Sequence, residues 1–415
     1  MGLLAAPSTS FAASTDHNPF GMMFSQASTR LAELATDLGA SNVRRLVTLN
    51  SWTGTCAGCG VFTDEGLDIV LTVRNSSSGS LPSAPPPVLS AYKMRVGEVL
   101  DSVNPKVLVV ENEETVAQYY TGNASQYHSM LAASCSEAHE RGIKCTNGGL
   151  PNPNVILMTY FHYQDIGEDA LADSYLRRAV LDDDEYNFNS NPYNETKLRS
   201  KVNGYTAFLN GYADAGADYI NFHWYRADAQ AFAETVHYLE GATGLPAISN
   251  EVGQYVESAS QIRGIMEQVQ LLGLDYAIWF SEDRYVKAQD SWISALHNSD
   301  HSLRAHGLEY QQMTSSFQPV GTRSVTISSV PNGLGITISG QVTGTAGCTS
   351  GQELQLEARS PTGSIFEVVS QTITDASGGY TFSRGFRGRA GTVKVSLPET
   401  TGCMGAESAA ISTLI

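Results

Sequence analysis

From about Phe20 to Ser299, short apolar runs that suit buried strands alternate with amphipathic stretches of helical spacing. The runs are Phe20–Phe24, Val43–Leu49, Leu67–Val73, Lys106–Val110, Ile143–Thr146, Asp218–Phe222, Pro246–Ser249 and Tyr276–Phe280. Between them, Thr29–Leu38, Tyr127–Arg141 and Ile262–Leu272 place apolar residues on one helix face. Each is followed by a glycine (Gly39, Gly142, Gly273) that suits a left-handed cap. Eight strand–helix units in about 290 residues predict a (β/α)8 TIM barrel, whose active site lies at the C-terminal strand ends. An open doubly wound sheet is the competing layout. It would carry a glycine-rich phosphate loop after an early strand, and neither GxGxxG nor GxxxxGK[ST] stands there. The long stretch Asn147–Val202, rich in Tyr, Asn and Asp, predicts a partly helical excursion over the rim that shapes a cleft.

The pattern changes near Gly321. Gly335–Gly340, Leu354–Ala358 and Gly391–Ser396 alternate apolar and polar residues between glycine-rich breaks, which is the mark of an antiparallel β-sandwich. The expected architecture is an α/β (β/α)8 barrel domain over residues 15–316, followed by a small C-terminal all-β sandwich over residues 324–415. This second domain resembles the immunoglobulin-like appendages of bacterial secreted enzymes. It contains none of the four tryptophans (Trp52, Trp224, Trp279 and Trp292). Sugar-binding modules use exposed aromatic platforms, so a structural or spacing role is expected for it.

Composition narrows the function classes. A 42% hydrophobic and 16% charged chain is a folded protein rather than a disordered or coiled-coil one. Asp and Glu number 42 against 25 Lys and Arg, so nucleic acid and anionic membrane surfaces are not expected partners. From Ser324 onward the net charge is −1, which leaves −16 of the total −17 on the barrel region. Such a field suits a neutral or cationic glycan better than a polyanionic one. No run approaches the roughly 18 apolar residues of a membrane span. The start, MGLLAAPSTSFAAS, resembles the end of a secretory signal without its basic region.

Six cysteines fit disulfides in an exported protein, although spacing does not fix their pairing. Cys56-Ala-Gly-Cys59 reads as a loop staple or a pair of inert thiols rather than a redox or zinc half-site. Cys135 with Cys145, and Cys348 with Cys403, are candidate local ties. The acidic run Asp182–Glu185 reads as a solvated loop rather than a Ca²⁺ site. The sequons at Asn75, Asn123 and Asn194 matter only in a eukaryotic host.

Chemistry concentrates at the predicted strand ends. The fourth ends in Val110-Glu111-Asn112-Glu113-Glu114 and the seventh in Ser249-Asn250-Glu251. Carboxylates at barrel strand ends are costly to bury and are tolerated mainly at functional sites. A pair of them, Glu113 and Glu251, is what glycoside hydrolysis requires: one acid to protonate the leaving oxygen and one carboxylate to attack or to activate water.

These residues carry a resemblance. Asn112-Glu113 after strand four and Glu251 on strand seven resemble the superfamily of retaining (β/α)8 glycoside hydrolases called clan A, which includes cellulases, β-mannanases and β-xylosidases. Gly39-Ala-Ser-Asn-Val-Arg44 is similar to its strand-two text, with Arg45 as the adjacent candidate. His223-Trp-Tyr225 is similar to its strand-six His-x-Tyr, and Trp279 to the tryptophan ending strand eight. The resemblance implies double displacement with Glu113 as acid/base and Glu251 as nucleophile. Asn112 would hold the sugar 2-hydroxyl, and Arg44 and Tyr225 would keep Glu251 ionised. His223 would bond substrate or the carboxylates, and Trp279 would form a platform under the ring. Glu251 then needs a depressed pKa, whereas Glu113 needs a drier setting that keeps it protonated.

Glu111, on the same side as Glu113 if the strand continues, is a rival acid. The histidine usual after strand three is missing, and Arg74 or Asn75 is its candidate replacement. The implied enzyme is a secreted monomer acting on a β-linked oligo- or polysaccharide, with no cofactor and no metal. The alternative is a catalytically silent barrel that binds glycans or scaffolds an assembly. A metal-dependent hydrolase ranks third, because no HxH or carboxylate–histidine cluster is visible at a strand end.

Overall fold

The structure is a computed structural model. It describes residues 17–76, 82–281, 295–298, 300–317, 323–332, 335–344, 348–360, 366–382, 391–398, 403 and 405–413. The leader-like N-terminal segment, Gly321, Trp292, Arg384, Arg387, Arg389 and Glu399 lie outside them. The chain divides into two compact units, whose main segments are Asn18–Phe317 and Gln318–Ile415.

In the first unit the elements run β1 (Phe20–Met23), α1 (Thr29–Asp37), β2 (Asn42–Thr48), α2 (Cys59–Thr63), β3 (Asp68–Arg74), α3 (Leu89–Val103), β4 (Val107–Val110) and α4 (Ala124–His139). They continue with β5 (Lys144–Asn147), α5 (Asn152–Asp165), α6 (Asp169–Ala179), α7 (Asp183–Ser190), α8 (Pro192–Leu209) and β6 (Ile220–Trp224). Then follow α9 (Ala229–Thr243), β7 (Ala247–Val252), α10 (Ala259–Leu272), β8 (Ala277–Phe280) and α11 (Ala305–Ser315). All eight strands pair in parallel, in the order β5-β4-β3-β2-β1-β8-β7-β6. Bridges Thr146↔Tyr219 and Leu150↔Phe222 bring the two end strands together and close the cylinder. This is the (β/α)8 barrel that the alternating pattern predicts.

Strand alternation sorts the apolar residues into two layers. Val70, Val107, Val109, Ile248 and Ile278 fill the barrel interior. Leu71, Leu108, Val110 and Trp279 join the larger core shared with the helices. Side-chain caps start several of those helices: Ser28 before α1, Asp228 before α9, Ser258 before α10, and a reciprocal Asn123–Gln126 capping box before α4. The stretch after β5 is more helical than the sequence implied, with four helices, α5 to α8. The acidic run in it is not a solvated loop. Asp182 accepts the Glu185 N–H at 2.8 Å as the cap of α7, and Asp183, Asp184 and Glu185 form its first turn. Negative charge at that end is favoured by the helix dipole.

The second unit is all-β. β9 (Arg323–Val325), β10 (Ser328–Asn332), β11 (Gly335–Gly344) and β14 (Gly379–Phe382) form one antiparallel sheet. β12 (Glu353–Arg359), β13 (Glu367–Ile373), β15 (Gly391–Leu397), β16 (Ala406–Glu407) and β17 (Ile411–Thr413) form the other. Ile338, Val342 and Phe382 from the first sheet pack with Leu354, Leu356 and Val395 from the second in one core. That arrangement is a sandwich.

The cysteines form three disulfides: Cys56–Cys59, Cys135–Cys145 and Cys348–Cys403. The CxxC is therefore a staple, and Cys135–Cys145 ties α4 to the strand that follows it. Closing that loop of about ten residues restricts the unfolded chain by about 3 kcal/mol. The Cys135→Ala/Cys145→Ala double variant should lower unfolding free energy by about that amount. All four tryptophans precede residue 318, so urea titration followed by tryptophan fluorescence reads this loss in the barrel unit.

Candidate active site

The C-terminal strand ends gather the ionisable residues. Arg44 projects inward from β2 and is 1% exposed. Its Nε donates to Thr72 Oγ1 on β3 at 3.0 Å, one Nη donates to Asn112 Oδ1, and the other donates to Glu251 Oε2 and to the Asn250 carbonyl. Arg45 points the other way, toward the α1–α2 layer, where it donates to the carbonyls of Phe24, Gln26 and Ala57. Period-two alternation decides between the two arginines.

Glu251 sits where β7 breaks regular alternation. Its pairing shifts register against β6 between Asn221 and His223, and against β8 between Ser249 and Val252. The irregularity lets the consecutive residues Asn250 and Glu251 both face the barrel interior, which an unbroken strand forbids. Tyr225, just after β6, donates its hydroxyl to Glu251 Oε1 at 2.6 Å. Burial alone would raise the Glu251 pKa. The nearby charges of His223 and Arg44 and the hydrogen bonds from Tyr225 and Arg44 outweigh it and hold this carboxyl below the ordinary value.

His223, on β6 and 1% exposed, links the two glutamates. Its Nδ1 lies 2.9 Å from Glu113 Oε1 and 3.8 Å from Glu251 Oε2, and its Nε2 lies 3.0 Å from Asn250 Oδ1. Each ring nitrogen thus lies within hydrogen-bond distance of a polar side chain. Burial works against its positive charge, but Glu251 and Glu113 together raise its pKa. Gly149, at φ +98°, leaves the room this ring needs, since a Cβ there would stand 2.2 Å from His223 Nε2.

Glu113 follows β4 by three residues, and its side chain is 16% exposed. One ligand atom each from Glu113, His223 and Glu251 lies within 4.8 Å of the others. The sequence reading missed this carboxylate–histidine cluster, because its members come from three separate strand ends. Such a group has the donors of a metal site. However, Arg44 and Tyr225 already engage both oxygens of Glu251, and the Arg44 cation stands where a metal would add like charge.

Several other expectations change. Glu111 is not in the cleft but fully buried, with Oε1 accepting from the Asn75 N–H at 2.7 Å and from Ser83 Oγ at 2.8 Å. Arg74 lies against it, Nε to Oε2 at 3.7 Å, so Arg74 and Asn75 serve Glu111 rather than stand in for the missing histidine. Trp279 is no platform at the mouth. It faces the helix layer, 1% exposed, with its ring edge-on to Tyr310 of α11 at 5.7 Å. The strand places the next residue, Phe280, on the inner side, where it meets the Tyr225 ring at 6.2 Å. Glu113 has an imidazole partner instead of the dry apolar pocket expected for it.

Aromatic rings that the sequence reading did not single out complete the surroundings. Tyr255 stacks on Tyr225 at 5.7 Å, and the Arg226 guanidinium lies 5.9 Å from the Tyr255 ring. Tyr119 is half-buried, and burial together with the negative charges of Glu113 and Glu251 raises its pKa. Arg226 also binds Glu185 at 2.9 Å and the Ala179 carbonyl at 3.0 Å, which fastens α6 and α7 beside the site. The available signal was a tyrosine shortly past a strand end: Tyr255 stands three residues after β7 and Tyr119 nine after β4.

No family model matches the chain, and no curated protein matches it in sequence. Among solved structures it is similar to a GH128 (subgroup II) endo-β-1,3-glucanase from Pseudomonas viridiflava, at 15% identity and TM-score 0.42, over 71% of this chain and 96% of that one. It is also similar to a GH128 (subgroup VII) oligosaccharide-binding protein from Trichoderma gamsii, at 13% identity and TM-score 0.40, over 71% and 94% of the two chains. A hyperthermophilic β-glucosidase mutant gives 10% identity and TM-score 0.44, over 71% and 99%.

The depressed Glu251 pKa fixes the sign of a pH effect. Its contribution to stability is fully present above the unfolded value of 4.5 and is lost as pH falls through the lower folded value. Tyr225→Phe, which removes one donor to this carboxylate, should cost about 2 kcal/mol near neutral pH. That deficit should shrink as the medium is acidified below 4.5, as read by urea denaturation at a series of pH values.

Proposed function

We propose that this protein is a retaining glycoside hydrolase that cleaves β-glycosidic bonds of a neutral oligo- or polysaccharide by double displacement. The observation that carries the reading is the closeness of Glu113 and Glu251, with carboxylate oxygens within 4.8 Å of one another at the mouth of the barrel. Retaining enzymes hold their carboxyl groups about 5–5.5 Å apart, whereas inverting ones leave about 6.5–9.5 Å for a water.

In the first step a Glu251 oxygen attacks the anomeric carbon as the bond to the leaving oxygen breaks, and the Glu113 proton passes to that oxygen. The product is a glycosyl ester on Glu251. In the second step water attacks the same carbon, Glu113 takes its proton, and Glu251 departs as carboxylate. Arg44 and Tyr225 hold Glu251 ionised and oriented for attack. Asn112, itself oriented by Arg44, is the group that would hold the sugar 2-hydroxyl. His223 positions Glu113. Phe280, Tyr255 and Tyr119, rather than Trp279, supply the aromatic surface for the apolar face of a sugar ring.

An exported, monomeric protein fits this reading. Disulfides persist in oxidising compartments, and no helix among the described residues is long and apolar enough to cross a membrane.

Proton NMR of the first-formed anomer, over a panel of β-glucans, mannans and xylans, should show the β-product. An α-product would refute double displacement, and tight binding without any product would replace the enzyme with a glycan-binding barrel. Glu251→Ala should abolish turnover. Glu113→Ala should lose about 100-fold or more on natural substrates, keep activity on 2,4-dinitrophenyl glycosides, and regain rate with azide as glycosyl azide. On the acid side, wild-type kcat/KM should fall only as Glu251 takes up a proton, below the ordinary value of 4.5, and Tyr225→Phe should move that limb upward.

A further inference from the structure

The string Glu111-Asn112-Glu113-Glu114 contains two carboxylates that the proposed reaction does not use. Both are buried, and they flank the two residues that face the cleft. Glu114, on the side of β5, accepts from Asn147 Nδ2 at 3.1 Å and from the Tyr212 hydroxyl. Glu111, on the side of β3, accepts from the Asn75 N–H and from Ser83 Oγ, with Arg74 beside it. The backbone between them is strained, since Glu111 and Glu113 adopt φ of +69° and +45°, a region that residues with a Cβ avoid. Such a turn persists only where its surroundings over-determine it. The backbone N–H of Glu111 donates to the Val73 carbonyl at 2.9 Å, and that of Glu113 donates to the Gly148 carbonyl at 3.3 Å. The side chain of Glu111 supplies the remaining hold on the β3 side. Burial pushes its carboxyl up to about 7, so this grip is bought against desolvation.

We infer that Glu111 is a positioning residue: by gripping Asn75 and Ser83 it locks the strained turn that aims Glu113 into the cleft. The inference rests on the hydrolase reading and deepens it. Loss of the grip should misdirect proton donation by Glu113 while leaving in place Glu251, held from β2 and from the residue after β6, and Asn112, held by Arg44. The signature is dependence on the leaving group. A poor leaving group needs the acid, and a good one does not.

The test compares phenyl and 2,4-dinitrophenyl β-glycosides of gluco-, manno- and xylo-disaccharides. Glu111→Ala should lower kcat/KM on the phenyl glycoside by about 10- to 100-fold, a part of what general-acid catalysis contributes, and on the dinitrophenyl glycoside by less than about threefold. Glu111→Gln, which keeps an acceptor oxygen for Asn75 and Ser83, should recover most of the loss. Ser83→Ala should give a weaker version of the same selectivity, and with Glu111→Gln it carries the test if Glu111→Ala does not fold. Equal losses on both glycosides in folded variants, or no loss on either, would overturn the inference while leaving the hydrolase reading intact. A wild-type protein that cleaves no member of the panel would instead refute that reading, and this inference with it.

Discussion

The site depends on one buried electrostatic arrangement, the Arg44 guanidinium against the Glu251 carboxylate with the His223 imidazole closing the other side. Taking an arginine to 1% exposure is expensive in free energy, and an ion pair so placed seldom stabilises a fold more than well-packed apolar residues would. A barrel seeking only stability would fill these positions as it fills the layer below, with Val70, Val107, Ile248 and Ile278. Here the polar cluster is fully committed instead. Every donor group of Arg44 has a partner among Thr72, Asn112, Asn250 and Glu251, and those partners come from β3, from the residues after β4, and from β7. One side chain thereby couples three strand ends. Closure of the cylinder is what makes that possible, because residues 44 and 251 meet only when β2 and β7 belong to the same ring.

Departures from regular geometry fall at the cluster of ionisable side chains. The register shifts of β7 let two neighbouring side chains face inward, and the left-handed residues after β4 turn Asn112 and Glu113 toward the mouth. Elsewhere the barrel strands keep strict alternation, as on β2, where Val43 packs outward and Arg44 points inward. The two irregular segments carry the two glutamates. Strain of that kind is held in place by surrounding contacts, and the buried flanking carboxylates Glu111 and Glu114 are among them.

The barrel was legible in the sequence because each strand is a short apolar run set off by helical spacing and caps, signals that act locally. That Arg44, Asn112, Glu113, His223, Tyr225 and Glu251 meet at one end of the barrel was legible because their order along the chain matches the order of strands around the ring. What escaped was decided by geometry finer than a pattern. Trp279 and Phe280 are adjacent aromatic residues, and only the exact register of β8 against β1 and β7 says which one faces the interior. Glu111 and Glu113 stand two apart, which on a strand means the same side. The strand, however, stops at Val110, and the turn beyond it sends one carboxyl into the β3 side and the other into the cleft. The Asp182–Glu185 run looked like a loop because charge density hid a capping residue followed by a helix start.

Charge accounting at the mouth constrains what the cleft can recognise. The barrel region carries a net −16, so its long-range field repels polyanions. Within the cleft, however, the Arg44 guanidinium is paired with the Glu251 carboxylate, so the fixed charges there largely compensate each other at short range. A near-neutral site inside an acidic shell gains little from binding a charged ligand. Attraction by charge is spent inside the protein, on the hydrogen bonds that hold Glu251 ionised. Under the proposed reading, recognition is then left to short-range forces: hydrogen bonds from Asn112 and its neighbours, and contact with the rings of Tyr119, Tyr255 and Phe280. Those are the forces by which an uncharged polyhydroxyl ring is held, which is why the proposed substrate is a neutral sugar.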